Sequence, residues 1–214
     1  MSLADIRREY TSGGLRRADL DANPIAQFQK WFTGAEAALA RHQLDVNAAT
    51  LATADINGIP SARTVLLKGL DERGFIFFTN YDSRKGRELA QNPNAALVFY
   101  WQELERQVCI AGSVTKTSRE ESENYFKSRP HGSRLAAWAS NQSETVSDRA
   151  VLEARWHELE KKFATDIPLP PNWGGFILKP ERIEFWQGRP SRLHDRFSYT
   201  RQPDDSWKLE RLAP

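Results

Sequence analysis

Between Asn23 and Leu39 the apolar residues Ile25, Phe28, Trp31, Phe32, Ala35 and Leu39 recur at helical spacing behind an Asn-Pro start, predicting a capped amphipathic helix. Its aromatic stripe reads as core rather than as a cofactor box. From Ala48 the period shortens to two. Ala49–Ala54, Ser61–Lys68 and Phe75–Thr79 read as strands of a β-meander, joined by an Asn57-Gly58 hairpin signal and a turn at Asp71–Gly74. A short helix is expected over Ser83–Gln91, ended before Asn92-Pro93, and strands follow at Ala95–Trp101 and Glu105–Thr115. Ser118-Arg-Glu-Glu121 is a capping box opening a helix that reaches Arg129-Pro130, and Ser147–Phe163 predicts a second, more strongly patterned one. Strands Phe176–Leu178, Arg182–Gln187, Arg192–Phe197 and Trp207–Arg211 complete the chain.

Helices are inserted among strands rather than alternating with them. The fold class expected is therefore mainly β with inserted helices, an antiparallel barrel rather than a doubly wound sheet. No Gly-x-Gly-x-x-Gly follows a strand and no Gly-x-x-x-x-Gly-Lys-Ser/Thr occurs, which disfavours dinucleotide and P-loop sites. The 214 residues suit one domain, 1–214, with 1–20 a mobile arm that lacks a signal peptide's apolar stretch. With 30 basic and 28 acidic side chains the net charge is only +2, so any anion site must be local, and a polybasic nucleic-acid binder is disfavoured. Cys109 stands alone, excluding an intramolecular disulfide, and no apolar run reaches membrane-span length; a reducing cytoplasm is expected, with no membrane partner. His42, His131, His157 and His194 show no metal-ligand spacing, so no metal is expected, and Cys109 reads as a core residue rather than a nucleophile.

The densest chemistry lies in Ile183–Arg196, where three arginines, a histidine and a tryptophan share fourteen residues. If Ser191–Phe197 is extended, Arg192, His194 and Arg196 share one face while Leu193 and Phe197 can face a core. Such a face calls for an anion, the alternative being a solvated cationic edge strand. Asn80–Gly86 is a second candidate, because Arg84 and Lys85 sit where a helix N-terminus favours a phosphate over a cation. Arg63 and Lys68, five residues apart, fall on opposite strand faces. Tyr125 and Arg129 share a helix face, and Ser133 follows the Pro130–Gly132 turn. The three make a phosphate cradle, or a tyrosine packed on an arginine stem.

Together these segments resemble the pyridoxamine 5′-phosphate oxidase family, flavin enzymes that make pyridoxal 5′-phosphate. The likeness runs through Arg7–Tyr10, Gly13–Arg17, Arg63–Lys68, Ser83–Lys85, Glu105–Val108, Tyr125–Pro130, Trp173–Gly175 and Arg211–Pro214, and is most specific in Ile183–Arg196. The resemblance implies a split β-barrel homodimer with FMN in clefts between subunits. It assigns to FMN the residues Arg63, Thr64, Val65, Leu66, Leu67, Lys68, Phe78, Thr79, Arg84, Lys85, Gln107, Gln142, Ser143, Trp186 and Arg196. Lys68, Tyr125, Arg129 and Ser133 would hold the substrate phosphate, with Arg192, Leu193 and His194 at the substrate ring. Arg7, Arg8, Glu9 and Tyr10 would close as a lid. Asp45 matches a position near the active site, although Val46-Asn47 replaces the family's Pro-Thr, and Phe78 stands where relatives have tyrosine. The implied reaction is oxidation of pyridoxamine or pyridoxine 5′-phosphate, with dioxygen as acceptor and hydrogen peroxide as product. Rival readings are a split-barrel flavin reductase or carrier, and a nucleic-acid-binding barrel using the seven tryptophans as a stacking surface.

Overall fold

The computed structural model describes residues 2–5, 9–40, 44–163 and 165–214. Among the described residues, a nine-stranded antiparallel sheet forms a half-barrel in the order β2-β1-β5-β6-β7-β4-β3, with β8 added to β7 and β9 to β8. The strands are β1 (Ala48–Ala54), β2 (Pro60–Leu66), β3 (Gly69–Asp71), β4 (Gly74–Asn80), β5 (Asn94–Trp101), β6 (Arg106–Lys116), β7 (Trp173–Gln187), β8 (Asp195–Arg201) and β9 (Trp207–Leu212). The helices are α1 (Pro24–Leu39), α2 (Arg84–Gln91), α3 (Arg119–Ser128), α4 (His131–Ala139) and α5 (Arg149–Lys162). Among the described residues no helix is long and apolar enough to cross a membrane.

The Asn23 side chain caps α1 by accepting from the Ile25 N–H at 2.8 Å, and the helix buries Phe28, Trp31, Ala35 and Leu39. Phe28 meets Phe75 and Phe99 edge-on at 4.9 and 5.0 Å, while Trp31 meets Phe185 at 5.2 Å. These are ring geometries that add attraction to simple area burial. A second cluster, Phe126, Leu135, Ile167 and Trp173, lies beneath α3 and α4. That cluster fixes the side of the barrel on which the candidate site forms.

Four expectations need correction. The predicted strands Phe176–Leu178 and Arg182–Gln187 are one strand, β7, because Pro180, opposite Gly112, adjoins a bulge where the register shifts before Arg182, opposite Ala111, and a bulge is where a strand tolerates proline. The Pro130–Gly132 turn is instead the start of α4, which buries Leu135 and Ala139. Helix α5 buries no residue, so its pattern is weaker than expected. Finally, Ser191–Phe197 is not extended: Pro190–Arg192 forms a 3-10 turn with Ser191 at φ 56° and Arg192 at φ 61°, and β8 starts only at Asp195. The turn leaves Leu193 71% exposed, while Phe197 is buried as expected.

Candidate active site

A cavity of about 400 Å³ opens between the end of β2, the end of β4, the start of α2 and the α3–α4 junction. Thr64, Val65, Leu66 and Lys68 line one wall; Phe78, Thr79, Lys85 and Gln142 line another; Tyr125, Arg129, Pro130, Ser133 and Trp173 close it. Phe78, Tyr125 and Trp173 stand nearly parallel, with Phe78 at 3.9 Å and 19° from Tyr125 and at 5.6 Å and 11° from Trp173. Three flat apolar faces thus border a polar floor.

Lys85 reaches that floor because α2 begins immediately after β4, with Ser83 as its cap. Its ammonium donates to Gln142 Oε1 at 2.7 Å and to Thr79 Oγ1 at 3.1 Å, both neutral oxygens. Burial, then the nearby Arg63 charge, pushes its pKa down to about 8. Arg129, just past α3, lies over the Trp173 ring at 4.7 Å, and its buried Nη1 has no hydrogen-bond partner. Burial lowers its pKa too. Leaving a buried guanidinium nitrogen unanswered is costly, and an anion in the cavity would remove that cost.

Neither Arg63 nor Arg84 lines this cavity; both turn to Glu88. Arg63 approaches Glu88 Oε2 at 3.3 Å and donates to Thr53 Oγ1 at 2.6 Å and to Ser61 Oγ, while Arg84 Nε meets Glu88 Oε1 at 2.8 Å. Burial alone would raise the Glu88 pKa, but hydrogen bonds from Ser61 and Thr53 and the Arg84 and Arg63 cations hold it at about 2. Asp45 lines a separate, more apolar groove of about 640 Å³ together with Leu67; Lys68 borders both spaces. Ser143 is exposed beside Gln142, at φ 74°.

The remaining predicted residues gather elsewhere on the sheet. Register places Gln107 opposite Trp186 and Trp186 opposite Arg196, a row across β6, β7 and β8. Arg196 pairs with Glu184 at 2.9 Å and donates to the Ala213 carbonyl at 2.8 Å. His194 lies 4.8 Å from Trp186, ring to ring, and its Nδ1 accepts the Arg189 N–H at 3.1 Å. Burial, then the Arg192 charge, lowers its pKa, favouring the neutral ring with its proton on Nε2. Tyr10 packs edge-on against both Trp186 and His194 at 5.4 Å, and Glu9 is exposed. Arg7, Arg8 and His42 lie outside the described residues.

A family profile described as pyridoxamine 5′-phosphate oxidase matches residues 36–163, and one described as the pyridoxine 5′-phosphate oxidase C-terminal dimerisation region matches residues 173–214. The chain is 60% identical over 213 residues to pyridoxine/pyridoxamine 5′-phosphate oxidase 1 of Ralstonia nicotianae, covering 100% of this chain and 99% of the relative. It belongs to the pyridoxamine 5′-phosphate oxidase family. The Paraburkholderia phymatum pyridoxine/pyridoxamine 5′-phosphate oxidase is 57% identical with the same coverage. Among solved structures, PhzG of Burkholderia lata 383, in complex with tetrahydrophenazine-1-carboxylic acid, superposes with a TM-score of 0.88 at 33% identity, covering 95% of this chain and 99% of that one. An FMN-binding, pyridoxamine 5′-phosphate oxidase-related protein of Nostoc punctiforme reaches a TM-score of 0.69 at 20% identity, over 87% of this chain and 97% of that one, a likeness of fold.

For an oxidoreductase of this family, Glu88 and Trp173 are residues that sequence reasoning left without a role. Glu88 could have been found from its place four residues after Arg84, the spacing of a helical ion pair. Trp173 opens the Trp-Gly-Gly stretch 173–175, but nothing in its spacing announced that Arg129 would lie across its face.

Proposed function

We propose that this protein oxidises pyridoxamine 5′-phosphate and pyridoxine 5′-phosphate to pyridoxal 5′-phosphate, using FMN and dioxygen and releasing hydrogen peroxide, with water hydrolysing the imine from the amine substrate to aldehyde and ammonia, as a cytoplasmic homodimer. The observation that carries this reading is one cavity containing two cations without carboxylate partners among the described residues, the buried Lys85 and the half-buried Arg129, whose Nη1 is buried and unpartnered. Two phosphates, one of the cofactor and one of the substrate, suit two such positions. FMN, when bound, would supply the two-electron acceptor and its reoxidation by dioxygen. Arg63 to Lys68, Phe78, Thr79, Arg84, Lys85, Gln142 and Ser143 would hold it from one subunit, with Gln107, Trp186 and Arg196 from the other.

Arg129, Tyr125, Ser133 and Lys68 would bind the substrate phosphate, so that a remote anion contributes binding energy to orienting the reacting carbon. Arg192 and His194 would orient the pyridine ring, with Arg7, Arg8, Glu9 and Tyr10 above it and Leu193 at its edge. With Nδ1 occupied by the Arg189 N–H, His194 can act toward substrate only through Nε2. Asp45, in the adjoining groove, is the proposed acidic neighbour.

The PhzG likeness raises a second reading, oxidation of a tricyclic carboxylic acid. The two cations lining the cavity, Lys85 and Arg129, and the 60% identity to the Ralstonia nicotianae oxidase favour the vitamin B6 reading. Supplying pyridoxamine 5′-phosphate and dioxygen to the FMN-loaded protein should yield aldehyde and peroxide in equal amounts. Turnover of a tetrahydrophenazine carboxylic acid with none of pyridoxamine 5′-phosphate would reverse the assignment.

A further inference from the structure

The N-terminal arm is fastened at two carboxylates. Glu105, 3% exposed and in the left-handed region at φ 52°, ends the turn before β6. Its side chain accepts the backbone N–H groups of Thr11 at 3.0 Å and Ser12 at 2.9 Å. Asp195 accepts the Leu15 N–H at 3.0 Å and is itself held by Arg211 at 2.7 Å, and Leu15 drops into the main core. Tyr10 is the residue immediately before the first of these attachments. It crosses Gly188 so closely that a Cβ there would lie 2.8 Å from the tyrosine ring and 3.0 Å from Glu105 Cβ. The Gly188 N–H in turn donates to the Glu105 carbonyl at 2.8 Å. One buried residue therefore holds both the arm and the turn over which Tyr10 passes.

A carboxylate that accepts two successive N–H groups fixes the direction of the chain as well as its place. We propose that Glu105 is a positioning residue: by gripping Thr11 and Ser12 it sets Tyr10 against the Trp186–His194 pair, closing the substrate side of the site. This rests on the reading of that face as the substrate face.

The test uses FMN-loaded full-length enzyme with Glu105→Met, which keeps the side chain's length and removes the acceptor, and with Thr11→Pro, which removes one N–H from the exposed arm and leaves the core untouched. Hydrogen exchange of the N-terminal peptide should show protection of residues 11 and 12 lost in Glu105→Met, and protection of Ser12 lost in Thr11→Pro. Both variants should lose roughly tenfold in kcat/KM for pyridoxamine 5′-phosphate, with FMN affinity retained. In a background lacking residues 1–12, Glu105→Met should cost nothing further. Retained protection, or an equal loss in the truncated background, overturns the proposal. A wild-type protein inactive on pyridoxamine 5′-phosphate, yet protected at residues 11 and 12 in a Glu105-dependent way, would overturn the functional reading and leave the clasp standing.

Discussion

Lys85 and Arg129 line the cavity without a carboxylate partner among the described residues, whereas Arg63 and Arg84 share Glu88. The Lys85 pKa of about 8 makes its charge sensitive to pH, and a bound phosphate would raise that value, so binding takes up a proton. FMN affinity should therefore be flat below pH 8 and fall above it, as the free protein loses the charge that the complex retains. Fluorescence titrations across pH should show this, and Lys85→Met should weaken binding and remove the slope; a slope surviving the substitution would assign it elsewhere. Arg129→Lys keeps charge but not the planar fork, and should cost about 1.5–3 kcal/mol in kcat/KM with FMN binding unchanged. Glu88 carries the opposite sign. Its folded pKa of about 2 lies below the ordinary 4.5, so its contribution to stability is complete above pH 4.5 and lost as pH falls toward 2. Glu88→Gln should cost about 3–4 kcal/mol near neutral pH, because two cations lose their shared carboxylate. It should also flatten the acid limb of a denaturation profile between pH 4.5 and 2.

At the scale of elements, α1 and the β1–β2 hairpin were legible because long periodic runs and an Asn-Gly turn admit few alternatives. Helix α4 was not, since a nine-residue helix with buried residues only at Leu135 and Ala139 has too short a stripe to outweigh its Pro-x-Gly beginning. Pro180 read as a break because only the partner strand reveals a bulge: at Gly112 a Cβ would lie 2.0 Å from the Lys179 carbonyl oxygen. The alternation in Ser191–Phe197 looked like a strand, but two successive left-handed residues turn the chain after Pro190. Non-glycine residues give no local sign of that conformation, which costs them about 1–2 kcal/mol each. Ser191→Gly should therefore raise stability by up to about 1 kcal/mol, the relief being partly offset by glycine's freedom in the unfolded chain. Ser191→Val should lower it by about 1–2 kcal/mol. Chemical denaturation of the pair measures both, and equal stabilities would mean that the turn carries no strain.

Across the whole molecule the candidate residues separate into two groups. The cavity is lined by Lys68, Lys85, Tyr125, Arg129 and Ser133, and by none of Gln107, Trp186, Arg192, His194 or Arg196. Chemistry read along the chain named both groups, but no spacing in a single sequence could show that one subunit leaves them apart. The second group, Gln107 excepted, falls within residues 173–214, the stretch matched by the family's dimerisation region. If two copies join so that each completes the other's site, damage to the two groups should be separable between subunits. Arg129→Met and Arg192→Met homodimers should each be nearly inactive. A heterodimer of the two, isolated through different tags on each chain, carries both lesions in one site and none in the other. It should recover about half of wild-type activity, the share of one intact site in a twofold dimer. A site built wholly within one chain would leave a lesion in each subunit, and the heterodimer would be as inactive as its parents.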